Sequence, residues 1–88
     1  MKEIFYIIAF DSTHHAISIE QVLKNAQKEV MIIPTPREIT ASCGLSLRVN
    51  EKDIPFLKEQ LKEKNMSYHG IFRVKFEEGK KFIEKIDE

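Results

Sequence analysis

The sequence predicts an α+β domain with a ferredoxin-like βαββαβ sandwich, in which a four-stranded antiparallel sheet carries two helices on one face. The first observation is the order of the segments, because apolar runs typical of strands alternate with two amphipathic helical segments in the split βαβ pattern. The second is the length, since 88 residues suffice for one small domain. The third is the composition, whose 42% apolar residues are typical of a globular protein.

The first half of the chain supplies a strand, a helix and a second strand. Residues 3–10 are nearly continuously apolar and rich in β-branched and aromatic side chains, as in a central strand. Residues 11–13 offer N-cap side chains, and the helical spacing of the following apolar residues predicts a helix over about 13–27. Residues 30–33 form a short apolar strand, which ends at Pro34 because proline has no amide proton to donate.

The second half repeats this order. Residues 45–49 alternate between apolar and polar side chains, which predicts a strand with one buried face. Asn50 and Asp53 are start signals for a second helix, with Pro55 in its first turn. Asn65 is expected to end that helix in a left-handed conformation.

The last predicted strand covers about 68–76, so that a single domain is expected over 1–76. The remaining residues, 77–88, form a charged amphipathic tail. Their apolar residues Phe82, Ile83 and Ile86 are compatible with a short C-terminal helix.

The charge balance argues against a nucleic-acid or membrane-surface partner. Fourteen basic residues balance fourteen acidic ones, and the two signs are interspersed. The apolar run at 4–10 is too short to span a bilayer and lacks the features of an export signal. A chain with one cysteine and no export signal is expected in the cytoplasm, where Cys43 would be a free thiol.

No metal or cofactor site is expected from the residue pattern. His14 and His15 are adjacent on a helix and point about 100° apart, and His69 is distant in sequence. The sequence lacks the ligand spacing of a zinc site. It also lacks a Ser/His/Asp arrangement and a phosphate-binding glycine loop.

The connection between the second and third strands is too long for an ordinary hairpin. It runs from Pro34 to Gly44, whereas hairpin loops usually have about two to five residues. A short helical turn is predicted over about 36–40. Thr35 can cap it, Pro36 suits its first position, and Glu38 can complete a capping box. Ordered insertions of this kind often carry functional residues.

The candidate site lies at the end of this connection. Cys43 is the candidate thiol, and a guanidinium at Arg37 would favour its thiolate form. Gly44 allows a sharp turn or the close approach of a second molecule. The full set of expected binding residues around the thiol is Thr35, Pro36, Arg37, Thr40, Ser42 and Gly44. The same thiol also shares the alternation of Leu45 and Leu47, which would make it a small buried side chain.

Four segments resemble the selenium/sulfur (Se/S) carrier-protein-like family. The most specific are the segments at 34–39 and 42–49, which contain the Pro-Thr-Pro-Arg and Cys-Gly-Leu runs, and weaker matches lie at 10–13 and 68–72. The resemblance covers about 4–74. Such proteins often have a glycine between the first helix and the second strand, where this chain has Gln-Lys-Glu at 27–29, so the turn is expected to include Asn25.

The resemblance implies that Cys43 holds sulfur or selenium as a persulfide or selenosulfide for delivery to an acceptor. Donor and acceptor proteins would be the partners, and the protein would be a carrier rather than a true catalyst. The alternative is a non-catalytic, dimeric regulatory or protein-interaction module with a buried structural cysteine. For the carrier as well, the open face of the sheet is expected to pair with a second copy in a homodimer.

Overall fold

The computed structural model describes residues 3–39 and 44–86. Within them lie five strands, two α-helices and one short 3-10 helix. The strands are β1 (Glu3–Phe10), β2 (Val30–Pro34), β3 (Leu45–Val49), β4 (Gly70–Glu77) and β5 (Lys80–Lys85). The helices are α1 (Thr13–Asn25) and α2 (Ile54–Glu63), and the 3-10 helix at Glu51–Asp53 leads directly into α2.

The strands form one antiparallel sheet in the order β2-β3-β1-β4-β5. The expected α+β class and the two helices are confirmed, but the sheet has five strands instead of the expected four. β1 lies at the centre, and its residues Ile7, Ile8 and Ala9 are fully buried. This position explains its continuous apolar sequence, because a central strand that is covered on both faces has no solvent-exposed side.

The first face of the sheet carries both helices. Ser12 caps α1 by accepting a hydrogen bond from the amide of His15 at 3.3 Å. The apolar stripes of α1 and α2 pack on alternate residues of β1, β3 and β4. The buried cluster on this face consists of Ile8, Phe10, Ala16, Ile19, Leu23, Leu47, Val49, Ile54, Leu57, Leu61 and Ile71.

The second face has a smaller buried cluster. Its centre is formed by Ile7, Ala9, Phe72 and Val74, and the partly buried residues around it are Phe5, Ile33, Ile39, Phe76 and Ile83. The Arg48 guanidinium lies 4.3 Å from the centroid of the Phe5 ring and covers one end of this cluster. Ile39 belongs to the β2–β3 connection, so the described first part of that connection, which ends at Ile39, folds over the second face.

The prediction of a short C-terminal helix is wrong, because residues 80–85 form the strand β5. A two-residue turn joins β4 to β5, and both of its residues have positive φ: 53° at Glu78 and 76° at Gly79. That pattern is typical of a tight hairpin turn whose twist matches the strands. Pairing with β4 gives the backbone N–H and C=O groups of this segment hydrogen-bond partners. A helix of only six residues would have little stability without packing against the rest of the domain.

The turn after α1 also differs from the expectation. Gln27 adopts the left-handed conformation, with φ of 60°, whereas Asn25 is the last residue of the helix. The amide of Lys28 then donates to the carbonyl of Leu23 at 2.8 Å, which closes the helix end. At the end of α2 the prediction is confirmed, because Asn65 has φ of 52°.

The helices within 3–39 and 44–86 are all too short or too polar to cross a membrane.

Candidate functional site

The two ends of the β2–β3 connection are held together at its base. The amide of Thr35 donates to the carbonyl of Gly44 at 3.2 Å, which extends the hairpin by one further pair. The hydroxyls of Thr35 and Ser46 share a hydrogen bond of 2.8 Å. Ser46 is fully buried, so this bond satisfies a polar group that would otherwise be costly to bury. The Thr35 hydroxyl therefore supports the strand pair, instead of capping a helical turn as expected.

Gly44 lies in close contact with the end of β1. A Cβ atom at this position would lie 2.6 Å from the carbonyl oxygen of Phe10 and 3.4 Å from the Thr35 hydroxyl. The first distance is far below ordinary contact, and the obstacle is backbone. The absence of a side chain at Gly44 thus allows the start of β3 to pass next to β1.

The connection begins with a single tight turn. The amide of Ile39 donates to the carbonyl of Pro36 at 3.0 Å, so a turn covers 36–39 within the span of about 36–40 where a short helical turn was expected. Thr40, the last residue of that span, lies outside the described residues. Arg37 and Glu38 are exposed at its tip, and Ile39 packs into the second-face cluster. We refer to residues 36–39 below as the site turn.

Glu38 joins the site turn to β5. One of its carboxylate oxygens lies 3.1 Å from Lys81 Nζ. A hydrogen bond from its own backbone amide, together with the ammonium of Lys81, holds the pKa of Glu38 below its ordinary value. The expected capping-box role of Glu38 is therefore replaced by a contact with a distant strand.

Three of the predicted site residues, Thr40, Ser42 and Cys43, lie outside the described residues. Among the others, Thr35 and Gly44 meet at the base of the connection, and Pro36 opens the site turn. Arg37 lies on the exposed side of that turn, and its expected influence on the thiol stays a prediction.

A cleft of about 510 Å³ lies beside the site turn. It separates the turn from β4 and β5, and the residues that line it are Glu38, Ile39, His69, Phe72, Lys81, Ile83 and Lys85. The sequence reasoning missed this cleft because it assigned residues 77–88 to a tail. The signal that could have revealed it is the Glu78-Gly79 pair directly after the alternating side chains of β4, which favours a hairpin turn.

The comparison with protein-family models gives one match, to the family described as "Putative Se/S carrier protein-like", over residues 5–73. The chain belongs to this family. The match includes the whole β2–β3 connection with Cys43 and ends within β4. In this family member, β5 and the two cleft lysines that it carries therefore lie outside the matched region.

Comparison with curated proteins and with solved structures finds no match.

Proposed function

We propose that this protein carries sulfur or selenium on Cys43 as a persulfide or selenosulfide and delivers it to an acceptor. The observation that carries the proposal is the family match, which extends over 5–73 and includes the cysteine. The structure at the base of the β2–β3 connection supports it. The backbone hydrogen bond between Thr35 and Gly44 and the close packing of Gly44 fix both ends of the loop, and functional loops are typically positioned by a rigid scaffold.

The loading step is a sulfur transfer without net oxidation. The Cys43 thiolate attacks the outer sulfur of a donor persulfide, the new sulfur–sulfur bond forms on Cys43, and the donor leaves as a thiolate. The outer sulfur keeps its proton or releases it to water. The same exchange with an acceptor thiolate unloads the carrier. The reaction requires no metal and no general base, since the thiolate is itself the nucleophile.

The proposed roles of the neighbouring residues follow from their chemistry. Arg37 supplies a permanent positive charge on the site turn, which favours an anionic sulfur or selenium species. Thr40 and Ser42 supply hydroxyl donors, and Thr35, Pro36 and Gly44 hold the connection in place.

The partners in this proposal are a donor and an acceptor protein in the cytoplasm. A homodimer through the second face of the sheet is part of the same prediction. Phe5, Phe76 and Arg48 are the residues on that face that would contact the second copy, since Ile7 and Val74 are already buried within one chain.

The test is to load the reduced protein from a sulfurtransferase that bears a persulfide, or from a donor protein that bears a selenosulfide, and to measure its intact mass. We expect wild type to gain one sulfur or selenium atom, which a thiol reductant then removes. Cys43→Ala is the matched control and should gain none. Equal mass gain in both proteins, or no gain in either, would contradict the carrier function.

Alkylation separates the carrier from a module with a buried structural cysteine. A carrier thiol must reach its partners, so a mild thiol reagent should label native Cys43 rapidly at neutral pH. Labelling that requires a denaturant would favour the interaction module instead. In that case the binding function of the protein should persist in Cys43→Ser.

A further inference from the structure

The cleft beside the site turn has the size and lining of a small-molecule site. Its volume of about 510 Å³ falls within the range of ligand pockets, roughly 300–1,000 Å³. The apolar part of the lining is provided by Ile39, Phe72 and Ile83, which come from the site turn, β4 and β5 respectively. A ligand with a hydrocarbon portion would cover these side chains and gain from their burial.

The charged part of the lining is mainly positive. Lys81 and Lys85 both project from the second face of β5, on the side of Ile83, because side chains two residues apart share a face. Glu38 neutralises Lys81 at 3.1 Å. Lys85 has no ion-pair partner within the described ranges 3–39 and 44–86. One surplus positive charge therefore faces the cleft, which favours an anionic ligand.

At the start of β4, Gly70 leaves room for two of the side chains that line the cleft, Phe72 and Lys85. A Cβ atom there would lie 3.0 Å from two atoms of the Phe72 ring and 3.1 Å from Lys85 Cε. The absence of a side chain thus lets the lysine stem and the phenyl ring approach each other at the cleft. The Lys85 side chain is therefore positioned both by the β5 backbone and by its packing beside Gly70.

His69 borders the cleft in a defined orientation. Its amide donates to the carbonyl of Ala9 at 2.7 Å, and its ring stacks on Phe72 with centroids 6.3 Å apart. The Nδ1 atom lies 3.6 Å from a carboxylate oxygen of Asp11. The imidazole adds a polar edge to a cleft whose floor is aromatic.

The position of the cleft relates it to the candidate thiol. Glu38 and Ile39 line the cleft, and the chain continues from Ile39 through residues 40–43 to the start of β3. A ligand in the cleft would therefore lie against the turn that leads to Cys43.

We propose that this cleft binds a small organic thiol compound that bears carboxylates, with an anionic group at Lys85 and its carbon chain over Phe72 and Ile83. This proposal deepens the carrier function and rests on it for the identity of the ligand as a sulfur donor or acceptor. An inorganic sulfur oxyanion shares the negative charge but has no carbon portion to cover the apolar floor.

The experiment uses S-methylglutathione as the probe, because its thioether keeps both carboxylates but cannot exchange with a protein thiol. Titration followed by ¹H–¹⁵N NMR should show saturable shifts at residues 38–39, 69–72 and 81–85, with a dissociation constant in the millimolar range or tighter. Lys85→Gln should weaken binding by about fivefold. Lys58→Gln makes the same charge change in a groove beside α2 and should leave the affinity unchanged.

Two further arms separate this proposal from the carrier function. Cys43→Ser should bind the probe as wild type does, because the probe does not react with the thiol. Probe binding without sulfur loading of the wild type would support the cleft but contradict the carrier function, whereas loading without probe binding would contradict the cleft alone. Thiosulfate tests the inorganic alternative. The proposal is overturned if the probe does not saturate, if its shifts lie elsewhere, if Lys85→Gln binds like wild type, or if only thiosulfate binds with dependence on Lys85.

Discussion

Gly44 is the residue on which the base of the β2–β3 connection most depends. From the sequence we expected either a sharp turn or the approach of a second molecule at this position. The structure shows a close approach of the chain to itself, because the carbonyl of Phe10 occupies the space that a Cβ atom would need. Gly44 follows Cys43 directly, so this packing constraint is adjacent to the proposed thiol.

Substitution of Gly44 by alanine should destabilise the protein. We expect Gly44→Ala to lower the free energy of unfolding by about 1–3 kcal/mol, because either β3 or the end of β1 must shift to remove a 2.6 Å contact with backbone. Urea denaturation measures this change.

Gly79→Asn is the control for that substitution. No atom lies within 4 Å of a Cβ at Gly79, and asparagine tolerates positive φ better than other side chains. It should change stability by less than about 0.5 kcal/mol. Similar effects of the two substitutions would contradict a specific packing role for Gly44.

Elements with a clear apolar period could be predicted from the sequence. The helical stripes of α1 and α2 and the apolar runs of β1 to β4 placed these elements within a few residues of their observed bounds. β5 could not be recognised in this way. Its apolar residues Phe82 and Ile83 are adjacent and are surrounded by charges, so the segment matches neither strict alternation nor a wide helical stripe.

The turn between α1 and β2 shows how a local requirement can be met by an unfavourable residue. The geometry of this helix end needs a left-handed residue, and Gln27 takes that role where glycine would do so without strain. The sequence indicated only that the usual glycine was missing. Which of the neighbouring residues adopts positive φ depends on where β2 must start.

Replacement of Gln27 by glycine should therefore stabilise the protein. We expect Gln27→Gly to raise the free energy of unfolding by up to about 1 kcal/mol, because relief of the left-handed strain exceeds the entropy cost of glycine in the unfolded chain. Thermal or urea denaturation provides the measurement. Glu29→Gly, two residues further on and not at positive φ, should instead be neutral or destabilising. A loss of stability in Gln27→Gly would show that φ strain is not the dominant effect at this turn.

At the scale of the whole molecule, the contact between Glu38 and Lys81 joins the site turn to the last strand. This ion pair cannot be predicted from the sequence, because the two residues meet only when β5 pairs with β4 and the site turn folds over the second face. The same arrangement creates the cleft, because three of its lining residues belong to β5.

This contact predicts how acid affects the site turn. The folded-state pKa of Glu38 is lowered from its ordinary value of 4.5, first by its own backbone amide and then by Lys81. A lowered pKa means that the stabilising contribution is present above the unfolded-state value and is lost as the pH falls through the folded-state value. NMR titration of the Glu38 carboxyl carbon should therefore give a pKa below 4.5.

Lys81→Met should raise that pKa towards its ordinary value, because the ammonium that stabilises the carboxylate is removed. Lys80→Met is the matched control, since Lys80 neighbours Lys81 on β5 but projects from the opposite face of the strand. An unchanged titration of Glu38 in Lys81→Met would show that the ion pair does not form in solution.

The sequence by itself determined the α+β class, the two helices and four of the strands, and it marked the long connection that contains Cys43. These features depend on short-range periodicity, caps and proline positions, which can be read from neighbouring residues. Only the tertiary structure decided the fifth strand, the contact of Gly44 with Phe10 and the cleft between the site turn and β5. Each of these depends on which segments of the chain meet in space, and local patterns do not specify that choice.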